Sequence, residues 1–330
     1  MLSLVTGGTG FFGSHLIEEL RQRGDAVRVL VRPTSDRSLL TGLGVETVEG
    51  DLEDVASLRQ ACQGCEVVYH SAARVEIVGS EGDFHRTTVA GTERLLAAAA
   101  EAGVRRFVYV SSCGVYHPSL FASGREIDES TPVRLAPRWF IYGRAKYQAE
   151  CLVRQSAPPA MQWVIVRLGY LFGPRNRTMH THVEPAMRDH TMRIIGDGQN
   201  KMAFVYVRDA ARAVALAGSC PEAEGEVLIA GGNERVTQQQ YFDALADGFG
   251  IPRITRHIPY RIAFLCGWLG EYFIRSGPRQ ATIRRAAIAL TGLPQHLRCD
   301  YTQKLLGWRP EVTFADGMKT AFEWYHKEYG

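Results

Sequence analysis

Residues 6–13 read Thr6-Gly7-Gly8-Thr9-Gly10-Phe11-Phe12-Gly13. The stretch follows a short apolar run at 3–5 and opens a helical pattern at 13–24. Gly7, Gly10 and Gly13 therefore lie between a strand and a helix, the context that gives a glycine-rich loop its meaning. Without a Cβ the backbone can turn tightly and approach a pyrophosphate. The helix start adds free N–H groups and a partial positive charge. Gly7, Thr9, Gly10, Phe11, Phe12 and Gly13 are expected to cradle the phosphates of a dinucleotide.

Outward from that loop, short β-rich runs alternate with helical patterns. Strands are expected at 3–5, 27–31, 45–48, 67–70, 107–110 and 163–167, and helices at 13–24, 54–62, 83–102 and 142–155. Apolar runs separated by helices indicate a parallel sheet with crossover helices covering both faces. A (β/α)8 barrel fits the alternation but not the glycine loop. The expected fold is α/β, a Rossmann-type doubly wound parallel sheet. Beyond residue 168 the pattern loosens, and Gly173-Pro174 marks a turn. Shorter elements follow: a strand at 204–207, a helix at 209–217, a strand at 226–229 and a helix at 238–248. Residues 1–168 read as the dinucleotide-binding domain, which also carries the catalytic residues. Residues 169–330 read as a smaller, mostly helical substrate-binding region, with elements at about 204–230 returning to the Rossmann core.

The chain has 330 residues, 45% hydrophobic and 22% charged, with a net charge of +3. This dispersed, weakly basic balance gives no footprint for nucleic acid. Seven cysteines are scattered, and no secretion leader or apolar run of membrane-spanning length is visible. The expectation is a cytoplasmic protein. Cys62 and Cys65 form a C-x-x-C without a thioredoxin-like context, so both read as packing residues. His180 and His182 lack paired metal-ligand spacing, and no metal is expected.

The second strand ends Val29-Leu30-Val31-Arg32, with no carboxylate at Val31. An acid there would favour a ribose 2′-hydroxyl, whereas Arg32 suits a 2′-phosphate. NADP(H) is favoured, with NAD(H) as the alternative. Asp51, in Gly50-Asp51-Leu52, has two readings: a partner of the adenine amino group, or the cap of the helix starting near Asp54.

Ser112 closes the fifth strand pattern, where open α/β sheets face their ligand crevice. Tyr142 and Lys146 sit four apart at the start of the next helix, on one face. A cation beside the phenol would lower its pKa from about 10. Such a Tyr can exchange a proton with an alcohol or ketone oxygen while hydride moves to or from a nicotinamide. Ser112 would orient the substrate oxygen, and Lys146 would also hold the nicotinamide ribose. A non-catalytic dinucleotide sensor would need none of this trio.

Taken together, T-G-G-T-G-F-F-G, G-D-L at 50–52, His70-Ser71-Ala72-Ala73, S-S-C-G-V-Y at 111–116 and Tyr142 with Lys146 resemble an extended short-chain dehydrogenase/reductase. The resemblance implies Ser112, Tyr142 and Lys146 as the catalytic set, Asp51 and Leu52 at the adenine, and Ala72 and Ala73 close to the cofactor. Thr88 departs from the pattern, since many members carry Asn there. In sugar-nucleotide epimerases and dehydratases an Arg precedes the later V-x-D strand; here Met202 takes that place. The segment 196–209 and the ending 300–310 are instead similar to the 3β-hydroxysteroid dehydrogenase group. That group implies oxidation or reduction at the 3-position of a sterol or related lipid, with decarboxylation where a 4-carboxylate is present. A nucleotide-sugar epimerase, dehydratase or reductase is the alternative. Arg175 and Asn176 are candidate substrate contacts, against a reading as loop polars. The aromatic, Arg-flanked stretch 258–274 reads either as a helix over the pocket or as a peripheral membrane contact. Related folds pair through helices flanking the catalytic one, so a homodimer is expected.

Overall fold

The structure is a computed structural model that describes residues 1–75, 79–273 and 284–330. Seven parallel strands form its central sheet: β1 (Leu2–Thr6), β2 (Ala26–Val31), β3 (Glu46–Glu49), β4 (Val67–His70), β5 (Arg106–Ser112), β6 (Gln162–Leu168) and β7 (Val227–Ala230). Their order is β7-β6-β5-β4-β1-β2-β3. This is the doubly wound order expected from the sequence. The strand order reverses between β1 and β4, where Thr6 pairs with His70 at the carboxyl ends of both strands. In such sheets the ligand crevice opens at that switch point.

Both faces of the sheet are covered, which is why its strands are apolar on both sides. Helix α1 (Phe11–Gln22) and the helix Val207–Ser219 pack on one face. Helices Val55–Cys62, Ala90–Glu101 and Ile141–Ser156 pack on the other.

Two expected elements differ in detail. The helix expected at 83–102 is three pieces: Glu81–Phe84, a π-turn His85–Val89, and Ala90–Glu101. Within it the Thr92 hydroxyl donates to the Thr88 carbonyl at 2.6 Å, a local side-chain bond that competes with regular helix. The strand expected at 204–207 is Phe204–Tyr206, and it pairs with Tyr170–Phe172 outside the main sheet. Val207 already opens the next helix.

Part of the C-terminal region gathers around an aromatic cluster that includes Phe172, Phe204, Tyr241 and Phe322, while helices Arg285–Gly292 and Asp300–Leu306 and Trp308 pack into the main core. Helix Gln238–Phe249 shows how local sequence sets its ends. Thr237 and Gln240 form a reciprocal capping box, and Gly250 stops the helix at φ +65°. The stretch 254–274 contains a two-residue strand, His257–Ile258, and helix Tyr260–Phe273. Ile274, Arg275 and Arg279 lie outside the described residues. Among the described residues no helix is long and apolar enough to cross a membrane.

Candidate active site

The glycine loop leaves β1 at Thr6 and enters α1 at Phe11. Gly7 adopts φ +74°, and a Cβ on it would stand 2.8 Å from the backbone nitrogen of Ala72. The Gly10 N–H donates to the Gly7 carbonyl at 3.0 Å. A Cβ on Gly13 would lie 2.1 Å from that same carbonyl oxygen. The turn therefore requires glycine at positions 7 and 13 for steric reasons. Gly10 caps α1 without a side chain, and no acid occupies the first turn. Free N–H groups with no competing negative charge suit a pyrophosphate, so this cradle fits a dinucleotide. Thr9 and Phe11 are half-buried beside it. Phe12 is packed in the core, which leaves only its backbone for the loop.

A hydrogen-bonded chain crosses the floor of the switch point. The Ala72 N–H donates to Thr6 Oγ1 at 3.3 Å, and Thr6 Oγ1 lies 2.7 Å from His70 Nδ1. On the far side His70 Nε2 lies 2.9 Å from Thr92 Oγ1, which itself donates to Thr88 O. Because Thr92 spends its proton on Thr88, it accepts from His70, and the imidazole carries its proton on Nε2. Nδ1 then accepts from Thr6. Complete burial, with the Lys146 charge adding to it, pushes His70 down to about 3 and keeps it neutral. Thr88, at the position where Asn was noted as the commoner residue, also accepts from the Arg74 N–H at 3.3 Å.

Ser112 ends β5 and caps the short turn Cys113–Val115, its hydroxyl accepting from the Gly114 N–H at 3.0 Å. Tyr142 is the second residue of helix Ile141–Ser156. The next residue is Gly143, on which a Cβ would fall 2.2 Å from the Gly114 carbonyl oxygen. Glycine at this position lets the helix start press against the Ser112 turn, which brings the Tyr142 ring beside the Ser112 hydroxyl. Lys146, one turn on, is buried; its Nζ donates to Val110 O at 2.7 Å and lies 4.7 Å from the centre of the Tyr109 ring.

The electrostatics correct one expectation. Burial pushes the Tyr142 phenol up, and the neighbouring Ser112 hydroxyl only offsets part of that. The Lys146 ammonium is spent on the Val110 carbonyl. Burial instead pushes Lys146 down to about 7, opposed by the negative charge of Glu150.

The family model described as the NAD dependent epimerase/dehydratase family matches residues 3–231, from β1 to the end of β7. The chain belongs to this family. It is an enzyme of the extended short-chain dehydrogenase/reductase type. Among its relatives, the 4-hydroxy-2-methyl-3-oxo-4-farnesyl-3,4-dihydroquinoline-1-oxide ketoreductase of Stigmatella aurantiaca is 31% identical, over 96% of this chain and 95% of its own length. Sterol demethylase protein B of Methylococcus capsulatus is 32% identical over 79% of each chain. The crystal structure of gox2253 superposes with a TM-score of 0.80 at 29% identity, covering 99% of this chain and 98% of that one.

Other positions of this epimerase/dehydratase-family chain lie as follows. Arg32 is exposed just past β2. Asp51 is not the helix cap: helix Val55–Cys62 is capped by Asp54, whose carboxylate accepts from Ala56 N–H at 3.0 Å. A cap must immediately precede the first helical residue, and only Asp54 does. The Asp51 carboxylate accepts from Glu53 N–H at 2.9 Å. Leu52 packs its side chain in the core beneath Gly91. Ala72 and Ala73 are half-buried beyond β4.

Arg175 is not a free substrate cation. Its guanidinium is paired with Glu18 on α1 and reaches Ser14 Oγ at 3.4 Å. Burial raises the Glu18 carboxyl, but His15 and Arg175 more than offset it and hold it at about 2. The Asn176 side chain accepts from the Thr178 N–H. Cys62 and Cys65 are buried free thiols; burial pushes Cys62 up to about 12 and raises Cys65, which suits packing and not redox exchange. His180 stacks on Tyr329 at 4.0 Å, and no metal-binding group of side chains occurs among the described residues.

Sequence reasoning missed Glu150 and Arg167. Glu150 continues the Tyr142–Lys146 face one turn further, a spacing that could have singled it out. It accepts from Ser111 Oγ at 2.6 Å and from Arg167 at 3.0 and 2.7 Å. Arg167 continues to the Tyr116 hydroxyl at 2.9 Å. The carboxylate thereby ties the strand end that carries Ser112 to the helix that carries Tyr142 and Lys146.

Proposed function

We propose that this enzyme is an NAD(P)-dependent oxidoreductase that interconverts a ketone and a secondary alcohol on a sterol or related apolar lipid, acting at the 3-position. One observation carries the reading: the Tyr142 phenol stands beside the Ser112 hydroxyl at the carboxyl end of β5, with Lys146 one turn below it on the same helix. In this reading residues 1–168 bind the dinucleotide and hold the catalytic trio, and residues 169–330 receive the substrate.

Gly7, Gly10 and Gly13 hold the pyrophosphate, Asp51 and Leu52 lie on the adenine side, and Ala72 and Ala73 border the path to the nicotinamide. The bound nicotinamide supplies or takes up hydride. Ser112 accepts from Gly114, so its own O–H is free to point at a substrate oxygen or at the Tyr142 phenol. Tyr142, held protonated by burial, gives its proton to the carbonyl oxygen on reduction; on oxidation it first releases that proton and, as phenolate, takes up the one from the alcohol. Lys146 offers its ammonium to the nicotinamide ribose. Arg32, exposed at the end of β2, favours NADP(H) over NAD(H).

The substrate class is supported by Met202. It is buried at 1% exposure in the aromatic cluster and pairs across a short ladder with Val236, so this position offers no phosphate-binding cation. The names of the two relatives, a ketoreductase of a farnesylated ring and a sterol demethylase protein, fit the same chemistry. Binding of a carboxylate beside the ketone would fall to a cation other than Arg175, which is paired with Glu18.

The test is a nicotinamide absorbance assay with both cofactors against 3-keto- and 3-hydroxysteroids, 4-carboxysterols and UDP- or dTDP-sugars. Turnover of a steroid or sterol is expected. Turnover of a sugar nucleotide alone would overturn the reading.

A further inference from the structure

Single exposed apolar residues are ordinary on protein surfaces, but clusters are not. Of eleven large hydrophobic side chains exposed among the described residues, five lie on the helix Tyr260–Phe273: Ile262, Leu265, Trp268, Leu269 and Tyr272. At 3.6 residues per turn, Ile262, Leu265, Leu269 and Tyr272 fall within about a quarter turn, with Trp268 beside them. This outward face is the reverse of a surface helix in water, which turns its polar side outward.

The inner face of the same helix is already satisfied. Ala263 is buried, and Phe264 packs edge-on against Trp139 at 5.3 Å. On Gly267 a Cβ would lie 2.8 Å from Ile288 Cδ1, so helix Arg285–Gly292 closes directly over it. Glu271, the only carboxylate between residues 254 and 273, is ion-paired with Arg285 at 2.6 Å. The stripe is therefore not a core face turned the wrong way.

Basic residues gather at one end of the stripe. Arg256, His257 and Arg261 are exposed at the start of the helix, and neither arginine has a carboxylate partner among the described residues. A second copy of the chain would add only a further set of the same basic residues to the face and no carboxylate to pair with them. An anionic surface with an apolar interior matches both features.

We propose that the helix Tyr260–Phe273 docks on an anionic lipid bilayer, its apolar stripe inserted at the headgroup boundary and Arg256 and Arg261 on the lipid phosphates. The inner-face contact places the catalytic helix close to that surface, because Trp139 lies three residues before Tyr142. The docking deepens the lipid-substrate reading, since an apolar substrate concentrated in the bilayer would reach the crevice without crossing water.

The experiment is co-flotation of the full chain, without substrate or cofactor, with phosphatidylcholine vesicles and with phosphatidylcholine–phosphatidylserine vesicles. Binding to the anionic vesicles is expected, weakened by high salt. Leu265→Glu and, separately, the pair Arg256→Ser and Arg261→Ser should each lower the bound fraction by about tenfold or more. Absence of flotation, or flotation unchanged in both variants, would overturn the proposal. Light scattering supplies a second arm: a wild-type dimer that Leu265→Glu splits to monomers would assign the face to a second copy instead. All sites lie outside the catalytic trio, so turnover of a water-soluble ketone should be unchanged in the variants. Vesicle binding and substrate class thus fail or succeed independently.

Discussion

Glu150 and Arg167 form a doubly hydrogen-bonded ion pair, Arg167 Nε to Oε1 at 3.0 Å and Nη2 to Oε2 at 2.7 Å, with both side chains closed to solvent. Removing one charge from such a pair leaves the other buried and uncompensated, at a cost of about 3–5 kcal/mol. Glu150→Gln is expected to lower unfolding stability by an amount of that order in urea titrations. It should also move the pH at which Lys146 deprotonates downward, because burial already depresses that ammonium to about 7 and Glu150 opposes the shift. The alkaline limb of the kcat/KM profile should shift to lower pH. A profile identical to wild type would separate Glu150 from Lys146.

Tyr142→Phe keeps the ring and deletes the proton. Turnover is expected to fall by about 10²–10⁴. Cofactor affinity, measured by fluorescence titration, should change little. A fully active variant would remove the acid–base assignment of Tyr142.

His70 predicts the acid side of the stability curve. Its folded pKa is depressed to about 3, while the unfolded chain takes up that proton below about 6.5. Between those values the unfolded state binds more protons, so stability is fully present above pH 6.5 and drains away as pH falls. The wild type should lose about 2 kcal/mol from this group by pH 5. In His70→Gln that slope should be absent, although the variant starts less stable. Equal pH slopes in the two proteins would contradict the neutral, doubly bonded imidazole.

The Gly13 position tests the phosphate cradle. Gly13→Ala sets a methyl 2.1 Å from the Gly7 carbonyl oxygen, so the loop must open. Loss of cofactor affinity by about tenfold or more is expected for NADH and NADPH alike. Unchanged affinity for both would place the pyrophosphate elsewhere.

At Arg32 the expectation is selective. Arg32→Ala should weaken NADPH by about tenfold and leave NADH nearly unchanged, since only NADPH carries the 2′-phosphate. Equal effects on both would end the case for NADP(H) preference at this residue.

Several of these residues were readable before any coordinates. The Gly7–Gly13 loop announces itself because a strand end, three glycines and a helix start are neighbours in the chain, and local sterics decide their shape. Tyr142 and Lys146 are readable for the same reason, four residues apart on one helix. Leu52 shows the limit of that reading: next to a site residue in sequence, it turns its side chain into the core. Asp51 and Asp54 show it again, since where the helix starts, within a span of three residues, decides which carboxylate is the cap.

By itself the sequence determined the order of strands and helices, the doubly wound sheet, the phosphate loop and the helical face that bears Tyr142 and Lys146. Each depends on periodicity or on steric limits between near neighbours. Only the tertiary structure decided where the charges of that face are spent. Lys146 donates to Val110 across to β5, Glu150 meets Arg167 of β6, Arg175 turns to Glu18, and His70 joins Thr6 to Thr92. These partners are far apart in the chain. A buried charge or imidazole must find a partner among the strand and helix ends that converge around it, and that convergence exists only once the sheet has formed.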